Sequence, residues 1–145
     1  MSDHIVIIGA GQAGVQTVQS LRQEGYAGAI TMVGDEPFPP YQRPPLSKAY
    51  LAGDLVRERL FLKPEAFFTE SHCTLKLSTR ATKIDRTAKT VSLSDGSTVS
   101  YSKILVCTGT RVRPIPVPGA DLKGIYYLRG IEDVDHLFAA PSEAA

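Results

Sequence analysis

The chain has 145 residues, 43% of them hydrophobic and 21% charged, with a formal net charge of +1. That composition fits one ordinary globular domain and argues against a disordered chain. The basic residues are scattered, which excludes a nucleic-acid stripe or a polybasic membrane arm, and Arg57/Arg59 and Arg111/Arg113 read as solvated pairs.

No run reaches the ~20 apolar residues a bilayer span needs. The apolar start, Ile5 to Ile8, follows Asp3 and His4 and runs at once into glycines. A signal peptide wants a basic n-region and a longer apolar core, so a cytoplasmic location is expected. The two cysteines, Cys73 and Cys107, form no metal-ligand or C-x-x-C spacing. They read as reduced thiols packed as small apolar groups in strands.

In chain order, Ile5-Val6-Ile7-Ile8 is a β-branched run expected to be a strand buried on both faces of a parallel sheet. Residues 9–14 read as a turn and residues 15–24 as a helix with Val15, Val18 and Leu21 on one face, stopped by Gly25. Ile30-Thr31-Met32-Val33 completes a βαβ unit, with a right-handed crossover expected. A Pro-rich loop over residues 37–45 leads into a short helix at about 46–51, and a second short helix is expected over 64–70.

From Thr74 the period changes to two. Strands are expected over 81–85, 90–93, 98–101 and 104–107, with Ser94-Asp95-Gly96-Ser97 turning a hairpin between the second and third. Tyr126-Tyr127-Leu128 reads as one more strand, residues 131–139 as a helix, and residues 138–145 as a linker. The fold class is α/β: a Rossmann-like parallel sheet with a β-meander/hairpin insertion.

Gly9-x-Gly11-x-x-Gly14 sits between the first strand and the helix. Gly9 permits a tight turn, Gly11 lets backbone approach a pyrophosphate, and Gly14 lets helix and strand pack closely. The helix N-terminus then presents unpaired N–H groups and a positive dipole end to an anion. Asp35 lies 21 residues beyond Gly14, near the ~20 expected for a carboxylate that bonds a ribose hydroxyl. Asp35 and Glu36 together disfavour a 2′-phosphate. These features point to a dinucleotide without choosing FAD or NAD; a Gly-rich turn with no ligand is the alternative.

The string Tyr41-Gln42-Arg43-Pro44-Pro45-Leu46-Ser47-Lys48 is more specific. With the glycines and Asp35-Glu36 before it, and Leu93-Ser94-Asp95-Gly96, Val106-Cys107-Thr108-Gly109-Thr110-Arg111 and Tyr127-Leu128-Arg129 after it, the chain resembles the start of ferredoxin reductases of the rubredoxin- and putidaredoxin-reductase type. Apoptosis-inducing factor shares the same loop.

The resemblance implies an FAD-binding fold and electron transfer from NADH to a ferredoxin- or rubredoxin-type iron–sulfur protein serving an oxygenase or P450. It places Gly9, Gly11, Ala13 and Gly14 around the FAD pyrophosphate and gives the adenosine ribose to Asp35, with Glu36 beside it. Arg43 is implied at the phosphate–ribose region, Ala81 at adenine by its backbone, and Thr108, Gly109 and Arg129 close to the cofactor. Lys48 is implied near the flavin N5, where a cation stabilises the reduced anionic ring. Without the family, Lys48 and Arg129 read as ordinary surface or structural charges.

No cysteine precedes Cys73, so the Cys-x4-Cys pair of flavoprotein disulfide reductases is missing and a dithiol shuttle is excluded for this segment. Residues 1–145 are expected to be the first segment of an FAD domain, followed in the family by an NADH-binding domain with its own Gly-rich fingerprint. By itself the segment is expected to be an incomplete FAD site with weak affinity and no NADH turnover. Two other readings stand beside this one: a non-catalytic dinucleotide-binding redox sensor, and the NAD-binding domain of an ordinary dehydrogenase, in which the Arg43–Lys48 string has no role.

Overall fold

The structure is a computed structural model in which residues 3–139 are described. The chain divides into two compact units, Met1–Tyr41 with Phe61–Gly109, and Gln42–Leu60 with Thr110–Ala145.

The first unit is built on a four-stranded parallel sheet. Strand β1 (His4–Ile8) is followed by helix α1 (Gln12–Gln23) and strand β2 (Ala29–Val33). Helix α2 (Glu65–Glu70) leads into strand β3 (Cys73–Lys76), and strand β7 (Lys103–Val106) closes the order β3-β2-β1-β7. Between β3 and β7 lies an antiparallel meander of β4 (Ala81–Asp85), β5 (Thr90–Leu93) and β6 (Thr98–Ser100). The Rossmann-like α/β class and the hairpin insertion are therefore both present.

Alternation of side chains along β1 explains its unbroken apolar run. Ile5 and Ile7 face a cluster with Ile30, Met32, Val15, Val18, Phe68 and Cys73. Val6 and Ile8 face the opposite side, with Val33, Val91, Leu93 and Tyr101. Helix α1 thus covers one face and the meander the other, and β1 is buried on both. Each fully buried Val or Ile stabilises the unit by about 1.5–3 kcal/mol relative to exposure. The hairpin turn is fixed by Asp95, whose carboxylate accepts from the Ser97 hydroxyl at 2.6 Å and the Ser97 amide at 2.9 Å. Those Ser97 bonds hold the Asp95 carboxyl below its ordinary value.

Several elements differ from expectation. Helix α1 begins at Gln12 rather than residue 15, with Gly11 in extended backbone as its N-cap. Gly14 therefore lies inside the helix, where close packing overrides the poor helix propensity of glycine. Strand β3 was not expected. Cys-Thr-Leu-Lys is short and half polar, because it lies at the sheet edge beside β2. Strand β7 takes the other edge and ends at Val106, which is 62% exposed. Cys107 lies beyond it and is half-buried, whereas Cys73 is buried in β3 as anticipated. Pro64 is the N-cap of α2 rather than a helical residue.

In the second unit, the helix expected at about 46–51 is a 3-10 turn, Pro44–Ser47, with a further 3-10 turn at Arg57–Leu60. Two prolines at the start suit that turn, and Lys48 at φ −132°, ψ −114° stops it. Helix α3 (Ile131–Ala139) follows the expected bounds and packs against Pro44–Ser47. It takes in Phe138 and Ala139, the first residues of the expected linker; the rest of that linker lies outside the described residues.

Tyr126-Tyr127-Leu128 is not a strand. No neighbouring strand pairs with it, and the Tyr127 hydroxyl instead accepts from the Ile115 amide at 2.9 Å. Arg57 is not a solvated charge either. Its Nη2 donates to both carboxylate oxygens of Asp135, at 2.9 and 2.8 Å, and its Nε to the Tyr50 hydroxyl at 3.2 Å. Arg59, Arg111 and Arg113 are exposed.

Candidate functional site

The first unit brings together Gly9, Gly11, Ala13, Gly14, Asp35, Glu36, Thr108 and Gly109 at the carboxyl ends of β1, β2 and β7, with Ala81 opening β4. That is the sheet edge where open α/β folds bind ligands. The three fingerprint glycines have different reasons. Gly9 has φ +113°, and a Cβ there would sit 2.2 Å from the carbonyl oxygen of Cys107. A Cβ on Gly14 would sit 2.4 Å from the Gly9 carbonyl oxygen. Both positions are therefore required by the protein's own backbone.

Gly11 differs. Its φ is −114°, and a Cβ there would meet nothing within 4 Å. Protein packing supplies no reason for glycine at this position; a diphosphate lying against the backbone does. Beside it, the first-turn amides of α1 have no intrahelical acceptor by the geometry of a helix start. No side chain caps them. Ala13 and Gln12 are exposed on that turn. This is a cradle of backbone donors with a positive dipole end, open on one side, and it fits a dinucleotide diphosphate.

A glycine absent from the fingerprint completes the turn. Gly34, directly after β2, is buried, and a Cβ there would sit 2.5 Å from the Ala10 side chain. The Gly9 amide donates to the Val33 carbonyl at 2.8 Å, tying the turn to the end of β2. Asp35 and Glu36 follow at once and separate in role. The Tyr41 hydroxyl donates to Glu36, which is half-buried. Asp35 is exposed, and its Oδ2 accepts from Arg80 Nη2 at 3.0 Å.

Neither Arg80 nor Gly34 stands out in the sequence as a site residue. Arg80 meets Asp35 across 45 positions of chain, and no local pattern announces such a partner. Gly34 stood in plain view in Val33-Gly34-Asp35, and only the approach of Ala10 gives it a reason. Tyr41 opens the Tyr41–Lys48 string, and only its hydroxyl's approach to Glu36 gives it a role.

Ala81 is half-buried and packs at the margin of the meander cluster. Thr108 and Gly109 are exposed, with Gly109 at φ +65°, directly beyond the Cys107 carbonyl that abuts Gly9.

In the second unit, Arg43 and Arg129 come together. Arg43 Nη1 donates to the Arg129 carbonyl at 2.7 Å. Arg129 is held further by its Nε on the Thr110 carbonyl at 3.0 Å and its amide on Asp133 Oδ2 at 2.7 Å. Asp133, in the first turn of α3, also accepts from the Gly130 amide at 2.7 Å, reaching back over the helix start as the acid of a capping box does. Lys48 is exposed, at the end of the Pro44–Ser47 turn.

Burial pushes the Cys73 thiol up to about 11, so it is an inert packing group. Neither described cysteine is in a disulfide.

A parallel βαβ sheet with a backbone diphosphate cradle and an acid after the second strand defines the FAD/NAD(P)-binding class of oxidoreductase. The pyridine nucleotide-disulphide oxidoreductase family pattern matches residues 3–144, and the chain belongs to that family. It is 49% identical over 133 residues to a rhodocoxin reductase of Rhodococcus erythropolis, covering 92% of this chain and 31% of that protein. A rubredoxin-NAD(+) reductase of Pseudomonas putida is 42% identical over 133 residues, covering 92% of this chain and 34% of the relative.

Among solved structures, the chain superposes with a TM-score of 0.85 and 38% identity on a putidaredoxin reductase, crystallised as a covalent complex with putidaredoxin. The match covers 93% of this chain and 33% of that one. The chain thus spans about a third of the length of the curated relatives it matches. These relatives are named as reductases of rhodocoxin, rubredoxin and putidaredoxin, and the resemblance to ferredoxin reductases drawn from the loop motif holds. No helix of the described residues is long and apolar enough to cross a membrane.

Proposed function

We propose that this chain is the FAD-binding part of an NADH-dependent ferredoxin reductase, which passes electrons from NADH through FAD to a ferredoxin- or rubredoxin-type iron–sulfur protein serving an oxygenase or P450. The observation that carries the reading is Gly11, a glycine that no protein contact requires, set at the uncapped mouth of α1. The names of the relatives, rhodocoxin reductase and rubredoxin-NAD(+) reductase, and the putidaredoxin seated on a structural neighbour support the choice of partner class.

A bound FAD would supply the conversion of two-electron transfer from a nicotinamide into the one-electron transfer that a metal acceptor needs. The chain's own residues bind and orient. The amides at the start of α1, with Gly11, Ala13 and Gly14, receive the diphosphate. Asp35 accepts from the adenosine ribose, with Glu36 braced by Tyr41 beside it. The backbone of Ala81 borders adenine, and Thr108 and Gly109 follow the strand end beside the Gly-rich turn.

Arg43, Lys48 and Arg129 are carried as cofactor residues by the family resemblance. Among them Lys48 would take the catalytic role, supplying the positive charge that stabilises a reduced flavin ring.

The test is electron transfer by the reductase that contains this segment. With NADH and a [2Fe–2S] ferredoxin or a rubredoxin, cytochrome c reduction is expected to depend on added FAD and on the iron–sulfur protein. FAD binding with no NADH-dependent reduction of either acceptor would instead favour a redox-sensing dinucleotide module.

A further inference from the structure

The carboxylate read as the ribose ligand is not alone. Arg80 Nη2 lies 3.0 Å from Asp35 Oδ2, and the two side chains are 72% and 55% exposed. Oδ1 of Asp35 has no protein partner among the described residues. An ion pair this exposed contributes little to folding, yet the loop that delivers Arg80 is fixed along its length. Ser78 is held at φ +50° and donates its amide to the Glu36 carbonyl at 3.0 Å. The Thr79 amide donates to the Gly34 carbonyl at 2.9 Å. The Arg80 amide donates to Ser94 Oγ at 2.9 Å, and the Ser94 amide returns to the Arg80 carbonyl at 2.8 Å. Residues 78–80 are thus stitched to residues 34–36 and to the hairpin turn, and the next residue, Ala81, opens β4.

Resting on the reading of Asp35 as the ribose ligand, we infer that Arg80 is a positioning residue of the adenosine subsite. It holds one carboxylate oxygen of Asp35 so that the other accepts from the ribose. The guanidinium does two things by simple electrostatics. A charge-assisted hydrogen bond on Oδ2 removes the rotational freedom the carboxylate has as an exposed side chain. Its positive charge also offsets the repulsion between Asp35 and the nearby cofactor diphosphate, which an unpaired carboxylate would otherwise impose. The ligand class is an adenosine diphosphate with free ribose hydroxyls, the half that FAD has and FMN lacks.

The test is flavin-fluorescence titration with FAD of the apo-reductase that contains this segment, using Asp35→Asn, Arg80→Met, Arg80→Lys and the Asp35→Asn/Arg80→Met pair. Arg80→Met is expected to weaken FAD about tenfold, the size of one charge-assisted hydrogen bond, and Arg80→Lys to recover to within about threefold of the parent. On the Asp35→Asn background, Arg80→Met should change affinity by less than about twofold, because the partner it positions is gone. The melting temperature without FAD should stay within about 2 °C, as an exposed pair requires.

Wild-type affinity in Arg80→Met, or the same tenfold loss with and without Asp35, overturns the role of Arg80 while leaving the dinucleotide site standing. Unchanged FAD affinity in Asp35→Asn overturns the ribose reading itself and the role of Arg80 with it.

Discussion

A methyl group on Gly14 would sit 2.4 Å from the carbonyl oxygen of Gly9, so the first turn of α1 is pressed against the end of β1 with no room for a side chain. Both contacts are backbone, and neither can yield by rotating a side chain. Gly14→Ala is expected to cost about 1–3 kcal/mol of stability through overpacking. Gly9→Ala should cost more, because it adds left-handed backbone at φ +113° to a 2.2 Å approach to Cys107. Urea unfolding measures both; a loss under about 0.5 kcal/mol, the range of ordinary surface changes, would contradict the packing account.

Gly11→Ala separates ligand from fold. Its Cβ meets nothing in the protein, and φ −114° is open to alanine. Alanine is a poorer helix N-cap than glycine, so stability should fall by about 0.5–1 kcal/mol and no more. FAD affinity should nevertheless fall at least tenfold, about 1.4 kcal/mol, because the methyl group stands where the diphosphate meets the backbone. Calorimetric melting and FAD titration of the same variant make the comparison. A large loss of stability with FAD affinity intact would reverse the assignment.

Much of this was readable in the residues. The runs Ile5–Ile8 and Ile30–Val33 declare buried parallel strands because both faces of β1 and the adjoining stretch of β2 are covered. The turn chemistry of Ser94–Ser97 declares the hairpin because Asp95 binds within its own turn. Local chemistry is visible in sequence; partners far along the chain are not. Arg80 acquires meaning only across 45 residues, from Asp35, and Gly34 only from the approach of Ala10. Tyr126–Leu128 looks like a strand by propensity, but strand formation depends on a neighbour to pair with, and Tyr127 bonds a loop amide instead. Strand β3 hid for the opposite reason: at an edge, two apolar residues in four suffice.

The Arg57–Asp135 pair joins the 3-10 turn at Arg57–Leu60 to α3 within the second unit, with the buried Tyr50 hydroxyl on the same guanidinium. The side chains are 42% and 37% exposed, so screening limits the contribution. Arg57→Met is expected to destabilise by about 0.5–1 kcal/mol in low salt. At about 1 M NaCl, where the Debye length is near 3 Å, at least half of that loss should vanish. Urea midpoints at the two salt concentrations provide the check, and a salt-independent loss would mean that the apolar stem, not the charge, matters.

Cys73 makes stability fall in alkali. Its thiol ionises near the ordinary 9.0 when the chain is unfolded and near about 11 when buried in β3. Below pH 9 both states keep the proton, and the thiol's burial contributes in full. As pH rises from about 9 through about 11 the unfolded chain releases its proton first, so stability drops across that window. Cys73→Val, which cannot ionise, should show a shallower decline of the urea midpoint between pH 8 and 11. Equal slopes in the two proteins would show that Cys73 is not protected by the fold.

The central claim is that the Gly-rich turn grips the adenosine diphosphate half of a flavin dinucleotide. Competition against bound FAD, followed by flavin fluorescence, tests it most directly. ADP should displace FAD and FMN should not, because ADP carries the diphosphate and ribose that α1 and Asp35 receive, whereas FMN carries only the flavin half. Displacement by FMN with no effect of ADP would contradict the assignment.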